Sequence, residues 1–261
     1  MRFPKTVAKS SGFSRIFVFG LMIFSGTGFI NLCTVCAETT DEFQGPPVAQ
    51  SHIIGIDPGH QGPNVDMSDL EPLGPGSTEM KAKASTGTQG TFSGLPEYQL
   101  NLDVSLKLRD ELEARGYEVY MIRETNDVDI SNAERAQLAA ESGADILVRI
   151  HANGSDNTSV AGALTMAPST ANPYLSQELI TECQKLSQCI ITTFCASTGA
   201  NNQGVYQTDE MSGLNWCSIP ATIVEMGYMT NPDEDTRMQT AECQQQMVTG
   251  IADGIDQYFA S

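Results

Sequence analysis

Three short apolar runs, each ending on an ionisable residue, constrain this chain more than any other feature of it. Ile53-Ile54-Gly55-Ile56 runs into Asp57-Pro58-Gly59-His60, Ile146-Leu147-Val148-Arg149-Ile150 into His151-Ala152-Asn153, and Ala221-Thr222-Ile223-Val224 into Glu225-Met226-Gly227. Runs of this length, rich in β-branched residues and bounded by turn signals, read as buried strands. Residues 118–122 and 161–166 read as further strands. Helical patterns stand between them. Ser131-Asn132-Ala133-Glu134 is a capping-box start for a helix that stops at Gly143, and residues 176–196 form another. Asn231 caps a final helix with Pro232 at its first position, acids at 233–235 and an apolar stripe of Met247, Ile251, Ile255 and Tyr258. Strands alternating with helices predict an α/β layer sandwich.

Residues 96–115 are ambiguous, because Tyr98, Leu100, Leu102, Val104, Leu106 and Leu108 alternate with the period of a strand. Length, Leu/Lys/Arg/Glu composition, Pro96 at the start and Gly116 at the stop decide for a helix. The Gly/Ser/Thr/Pro-rich stretch 61–94 is long for a structureless connection and is expected to be functional or mobile.

Charge separates the amino terminus from the rest. The chain carries 14 Lys+Arg against 32 Asp+Glu, a formal −18, which argues against a nucleic-acid binder. Arg2, Lys5, Lys9 and Arg15 precede the first acid, so residues 38–261 hold 10 basic and 32 acidic groups, a formal −22. The four cations are followed by an uncharged stretch, 16–37, with an apolar centre at 17–24: the layout of a secretory signal peptide. Val35-Cys36-Ala37 offers a cleavage site before Glu38. The 22 uncharged residues could also remain as a membrane anchor, although Ser25, Thr27, Asn31 and Thr34 dilute them. Residues 38–50 read as a linker and 51–261 as the catalytic domain, exported in either case. Outside the leader stand Cys183, Cys189, Cys195, Cys217 and Cys243. Five cannot all pair, and they read as buried thiols with at most one bridge between elements.

In an α/β sheet the carboxyl ends of strands open onto the ligand crevice, so Asp57, His60, His151 and Glu225 can converge there. Only three histidines occur in the chain, and two of them follow these strands. Two neutral imidazoles and a carboxylate suit Zn²⁺ with an open position for water. Such a water becomes a nucleophile near neutral pH, and a second carboxylate can take its proton and pass it to a leaving amine. Glu97 and Glu225 are the two carboxylates placed to serve.

The ordered motifs Asp57-Pro58-Gly59-His60, Glu97 with Asn101-Leu102, Ile150-His151-Ala152-Asn153, and Pro220 to Asn231 around Glu225 resemble those of the zinc-dependent N-acetylmuramoyl-L-alanine amidases of the amidase_3 type. The resemblance covers roughly residues 52–259. It implies a single mixed, mostly parallel sheet flanked by helices in three layers, and Zn²⁺ held by His60, Glu97 and His151 with Glu225 as the catalytic glutamate. The substrate it implies is the amide between N-acetylmuramic acid and L-alanine in peptidoglycan. Two positions depart from the family pattern: Arg149 stands where a small residue is usual, and Gln61 where glycine is common. Arg149 is either a structural ion-pair partner or a contact to a stem-peptide carboxylate; with Asn153 it is a candidate for substrate binding. The long spacing before Glu97 leaves Glu71 and Glu79 as fallback ligands. A non-catalytic wall-binding or activator protein on the same fold, and a zinc peptidase acting within the stem peptide, are the alternative functions. Peptidoglycan is the expected partner, nucleic acid is not, membrane contact depends on a retained leader, and a monomer is expected.

Overall fold

A computed structural model of the chain describes residues 52–261. The expected leader and the linker lie outside the described residues. Six strands form the main sheet: β1 (Ile53–Pro58), β4 (Glu118–Met121), β5 (Ile146–Asn153), β6 (Ala163–Ala167), β7 (Asn202–Gln207) and β8 (Ala221–Tyr228). Their order is β4-β1-β5-β8-β6-β7, with only the β6/β8 pair antiparallel. The fold is therefore a mixed, mostly parallel sheet. Helices cover both faces, which is why β1, β5 and β8 are near-continuous apolar runs rather than alternating ones.

The two faces divide by the strand period of two. Ile54 and Ile56, Ile146, Val148 and Ile150, and Val224 and Met226 face one core. The helices α1 (Glu97–Ala114), α3 (Gln177–Thr198) and α6 (Ala241–Phe259) cover it. Leu147 and Ile223 face the other, against α2 (Asn132–Glu141) and the short α4 (Ser212–Asn215). Continuing the same alternation, Asp57, Arg149, His151 and Glu225 occupy this second side. His151 and Glu225 are register partners on adjacent strands, so their side chains leave the sheet together.

Local signals explain the helix boundaries. Ser131 and Glu134 form the reciprocal capping box of α2, and Asn231 accepts the amides of Asp233 and Glu234 at the start of α5 (Pro232–Met238). The expected single final helix is two: Thr240 accepts the amide of Cys243 and starts α6 afresh. The ambiguous segment is the helix α1, whose Leu100, Val104, Leu108 and Leu112 form a stripe at i, i+4 that is fully buried.

The 61–94 segment is not structureless. It holds a hairpin of β2 (Leu70–Pro72) and β3 (Met80–Ala82). Glu71, buried, accepts the amide of Ala133 at 2.9 Å and the hydroxyl of Ser212. Trp216 Nε1 and Asn215 Nδ2 donate to the carbonyls of Pro72 and Leu73. β7 escaped sequence reading because it is a polar, largely exposed edge strand with no apolar pattern to show. The five cysteines of the described residues are free thiols, so the bridge that composition allowed is not formed. No helix among the described residues is long and apolar enough to cross a membrane.

Candidate metal centre

Beyond the end of β1 the chain turns sharply, and His60 sits at φ 63°, a left-handed conformation that costs a non-glycine residue about 1 kcal/mol or more. Two buried arginines hold this turn. Arg135 from α2 donates to Asp57 Oδ1 (2.6 Å), Pro58 O (3.0 Å), His60 O (3.0 Å) and Gln61 Oε1 (2.7 Å). Arg123 donates to Pro58 O (2.7 Å), Gly59 O (3.0 Å) and Tyr98 O (2.8 Å). Asn101 Nδ2 bridges Gly59 O at 3.2 Å and Glu97 Oε1 at 3.1 Å, tying the turn to the first residue of α1.

Three donors converge above this frame. His60 Nε2 stands 3.1 Å from Glu97 Oε1, and His151 Nδ1 stands 3.3 Å from the same oxygen. His60, Glu97 and His151 each bring a ligand atom within 4.8 Å of the others, a set able to hold a metal ion. Ser85 presents its carbonyl to His60 Nδ1 at 3.2 Å and its hydroxyl at 2.9 Å. A carbonyl only accepts, which favours the proton on Nδ1 and turns the Nε2 lone pair toward the carboxylate. Two lone pairs facing each other at this distance are what a cation between them resolves. Glu97 is fixed further by the amides of Thr88 on Oε2 (2.8 Å) and Ala152 on Oε1 (3.1 Å).

Glycine makes the approach possible at two places. A Cβ at Gly59 would overlap the His151 ring, and one at Gly87, where φ is 74°, would overlap Glu97 Oε2.

The charges follow from burial and proximity. Burial opposes ionisation of Glu97, but the hydrogen bond from His151, and that from His60 whenever its ring carries both protons, outweigh it and hold the carboxyl well below the usual carboxylate range. Burial pushes His151 down to about 4, against the pull of Glu97, so its imidazole is neutral at physiological pH, the form in which an imidazole is able to bind a metal. Glu225, next to His151 across the β5/β8 ladder, is pushed up to about 8, first by burial and then by the charge of Glu97. Glu225 Oε2 and His151 Nε2 are buried atoms without a hydrogen-bond partner, which the interior of a protein seldom tolerates outside a working site.

Sequence comparison decides the family. The Amidase_3 profile, described as N-acetylmuramoyl-L-alanine amidase, matches residues 54–257. The chain belongs to the Amidase_3 family. It is similar to the N-acetylmuramoyl-L-alanine amidase Rv3717 of Mycobacterium tuberculosis, at 25% identity over 80% of this chain and 87% of that one. It is also similar to the N-acetylmuramoyl-L-alanine amidase LytC of Bacillus subtilis, at 25% identity over 88% of this chain but only 39% of LytC. Among solved structures, the N-acetylmuramyl-L-alanine amidase Ami1 of Mycobacterium smegmatis superposes with a TM-score of 0.72 at 26% identity, covering 80% of this chain and 97% of Ami1.

Within this Amidase_3 domain the other sequence candidates fall into place. Arg149 is a structural ion-pair partner of Asp57. Its side chain is 3% exposed, its Nε donates to Asp57 Oδ2 at 2.7 Å and its Nη2 to Asn132 Oδ1 at 2.9 Å. Glu71 is the clamp of the inserted hairpin and Glu79 lies on the exposed surface, so neither joins the imidazoles. Asn153 is half-buried beyond the metal centre, its Oδ1 accepting the Gly154 amide at 2.8 Å. Gln61 is buried, with Nε2 unpartnered. Sequence reasoning missed Ser85, Thr88, Arg123 and Arg135. Ser85 and Thr88 lie in a stretch whose composition is that of any loop. Arg135 sits in a helix where a lone arginine reads as solvated surface.

Proposed function

We propose that this protein is an exported zinc amidase that hydrolyses the bond between N-acetylmuramic acid and L-alanine in peptidoglycan. The observation that carries the reading is the convergence of His60 Nε2, Glu97 Oε1 and His151 Nδ1, with Glu225 uncompensated beside them. The donor set fits zinc: tetrahedral ligands at ~2.0–2.1 Å from the ion stand about 3.3 Å from one another, close to the 3.1 and 3.3 Å found between the imidazoles and Glu97. The chemistry that zinc supplies in such a set is polarisation of the scissile carbonyl and a water acidic enough to attack it near neutral pH.

The protein's own residues do the rest. Arg135, Arg123 and Asn101 keep His60 in its strained conformation, and Ser85 holds its ring. Glu225 Oε2 receives the proton of the attacking water and delivers it to the departing alanine nitrogen. A buried carboxyl with a raised pKa suits both transfers, because a general acid/base works best near the operating pH, and its pKa would be drawn back down once His60, Glu97 and His151 held a cation. The basic, then apolar, composition of residues 1–37 supports export to the wall.

The test is to measure zinc per chain in purified protein and to incubate it with purified peptidoglycan, with and without chelator. One zinc per chain and chelator-sensitive release of stem peptides bearing free L-alanine amino termini are expected. Stoichiometric zinc with cleavage inside the stem peptide would make the protein a peptidase, and no zinc with no cleavage would make it a binding protein.

A further inference from the structure

A groove of about 430 Å³ is lined by Thr88, Gly154, Ser155, Asp156 and Thr230. It adjoins the candidate metal ligands through Thr88, whose amide bonds Glu97 Oε2, and its walls are close enough that a Cβ at Gly154 would meet Thr88 Oγ1 at 2.9 Å. Ser155 and Thr230 are tied together, the Ser155 amide donating to Thr230 Oγ1 at 2.9 Å. The turn 90–94, joined by its backbone to the segment that carries Thr230, displays Phe92 at 65% exposure. The Thr91 amide bonds Met229 O, the neighbour of Thr230, at 3.1 Å.

This turn is rigidly built. Asp235, 1% exposed, accepts the amides of Phe92 and Ser93 at 2.9 Å each and the Ser93 hydroxyl at 2.6 Å. The turn closes on itself through Gly90 to Leu95 and Gly94 to Gly90 bonds of 2.9 Å. A buried carboxylate thus fixes the backbone under an aromatic ring left in water. A ring mounted in this way loses little conformational freedom when a ligand covers it.

We propose that this groove and Phe92 form a subsite for the glycan strand of peptidoglycan, a proposal that rests on the amidase reading. The bond to be cut hangs from the lactyl ether of a sugar, so the sugar must lie beside the metal ligands, which the groove adjoins. A pyranose ring has an apolar C–H face that the negative face of an aromatic ring attracts, and an edge of hydroxyls that Thr88, Ser155, Thr230 and Asp156 can meet. The stem peptide, in contrast, carries carboxylates. The groove offers them no cation, and Asp156, its one ionisable lining residue, repels them.

The probes are a soluble β-1,4-linked N-acetylglucosamine hexamer and a free stem peptide, with affinities measured by calorimetry on the full zinc-loaded chain. Phe92→Ala is expected to weaken hexamer binding about three- to tenfold, the range of one aromatic contact. Phe92→Trp should restore it, and Tyr206→Ala, an exposed aromatic on β7, should leave it unchanged. Hexamer affinity that is absent in the wild-type chain or indifferent to Phe92→Ala overturns the proposal, as does a loss confined to the stem peptide. Glycan binding through Phe92 in a protein that cuts no wall would sink the amidase reading and leave the subsite standing; wall cleavage with Phe92 irrelevant to glycan does the reverse.

Discussion

Replacing Asp57 by Asn tests whether the buried ion pairs hold the frame under the metal centre. Asp57 is fully buried and accepts Arg135 Nη1 at 2.6 Å and Arg149 Nε at 2.7 Å. Burial alone would raise its pKa, but the two guanidinium groups outweigh burial and hold the carboxyl far below the usual range. Asparagine keeps the shape, yet its one oxygen satisfies one arginine while its amide group faces the other as a second donor. Breaking a buried pair from one side costs about 3–5 kcal/mol. At roughly 2–4 °C per kcal/mol for a domain of this size, Tm should fall on the order of 10 °C. The pH dependence has a definite sign. Because the folded pKa is depressed, Asp57 contributes its full stability above the unfolded value near 4, and the contribution is lost as pH falls through the folded value. The gap between wild type and Asp57→Asn, measured by urea unfolding of the metal-free chains, should be constant from pH 5 to 8 and shrink below about pH 4. A loss under about 1 kcal/mol, or a gap that widens on acidification, would refute the reasoning.

Other consequences follow from the same geometry. Gly59→Ala replaces no ligand but its Cβ would displace the His151 ring, and it should weaken zinc binding about 10- to 100-fold in competition with a chromophoric chelator; unchanged affinity would show that the ring has room to move. In metal-free protein His151 is held neutral down to about 4 while unfolded histidine protonates near 6.5, so acidification between these values should destabilise the fold through this group by roughly 3 kcal/mol. Flat stability there after correction with a His151→Ala variant counts against that burial. Zinc at about 1,000 times its dissociation constant should add about 4 kcal/mol to stability at neutral pH, read as a rise in Tm, and no rise would mean that the three ligands do not bind it. Residues 38–261 carry a formal −22, so binding to an anionic cell wall should strengthen as salt shortens the screening length from ~30 to ~8 Å. Sedimentation with wall fragments reads this, and binding that weakens with salt would point to cationic contacts that the groove beside the metal does not contain.

The parts of the fold legible in the sequence are those that burial dictates. β1, β5 and β8 lie between helix layers, so their side chains had to be apolar and their ends stood out as the polar residues Asp57, His151 and Glu225. The caps at Ser131 and Asn231 were equally legible, because unpaired amides at a helix start demand a particular side chain. What stayed hidden depends on contacts distant in sequence. Glu71 looked like a loop acid until Ser212 and the α2 amide were seen against it. Arg149 kept two readings open because a strand position facing Asp57 and one facing substrate differ only in what α2 and α4 place above it. Glu97 could be preferred to Glu71 as a ligand from the helix after it, but its fixation by Thr88 and Asn101 requires the turn of a loop whose glycines carry no pattern. The break at Thr240 is a matter of competing caps within one apolar stripe.

The most direct test of the central claim is digestion of purified peptidoglycan by wild type and by Glu225→Gln, both shown to hold zinc, with masses taken of all soluble products. Wild type should release stem peptides with free L-alanine amino termini and leave glycan strands uncut, while Glu225→Gln, with zinc still bound by His60, Glu97 and His151, should release none above background. Release of the same products by Glu225→Gln at the wild-type rate would contradict the account.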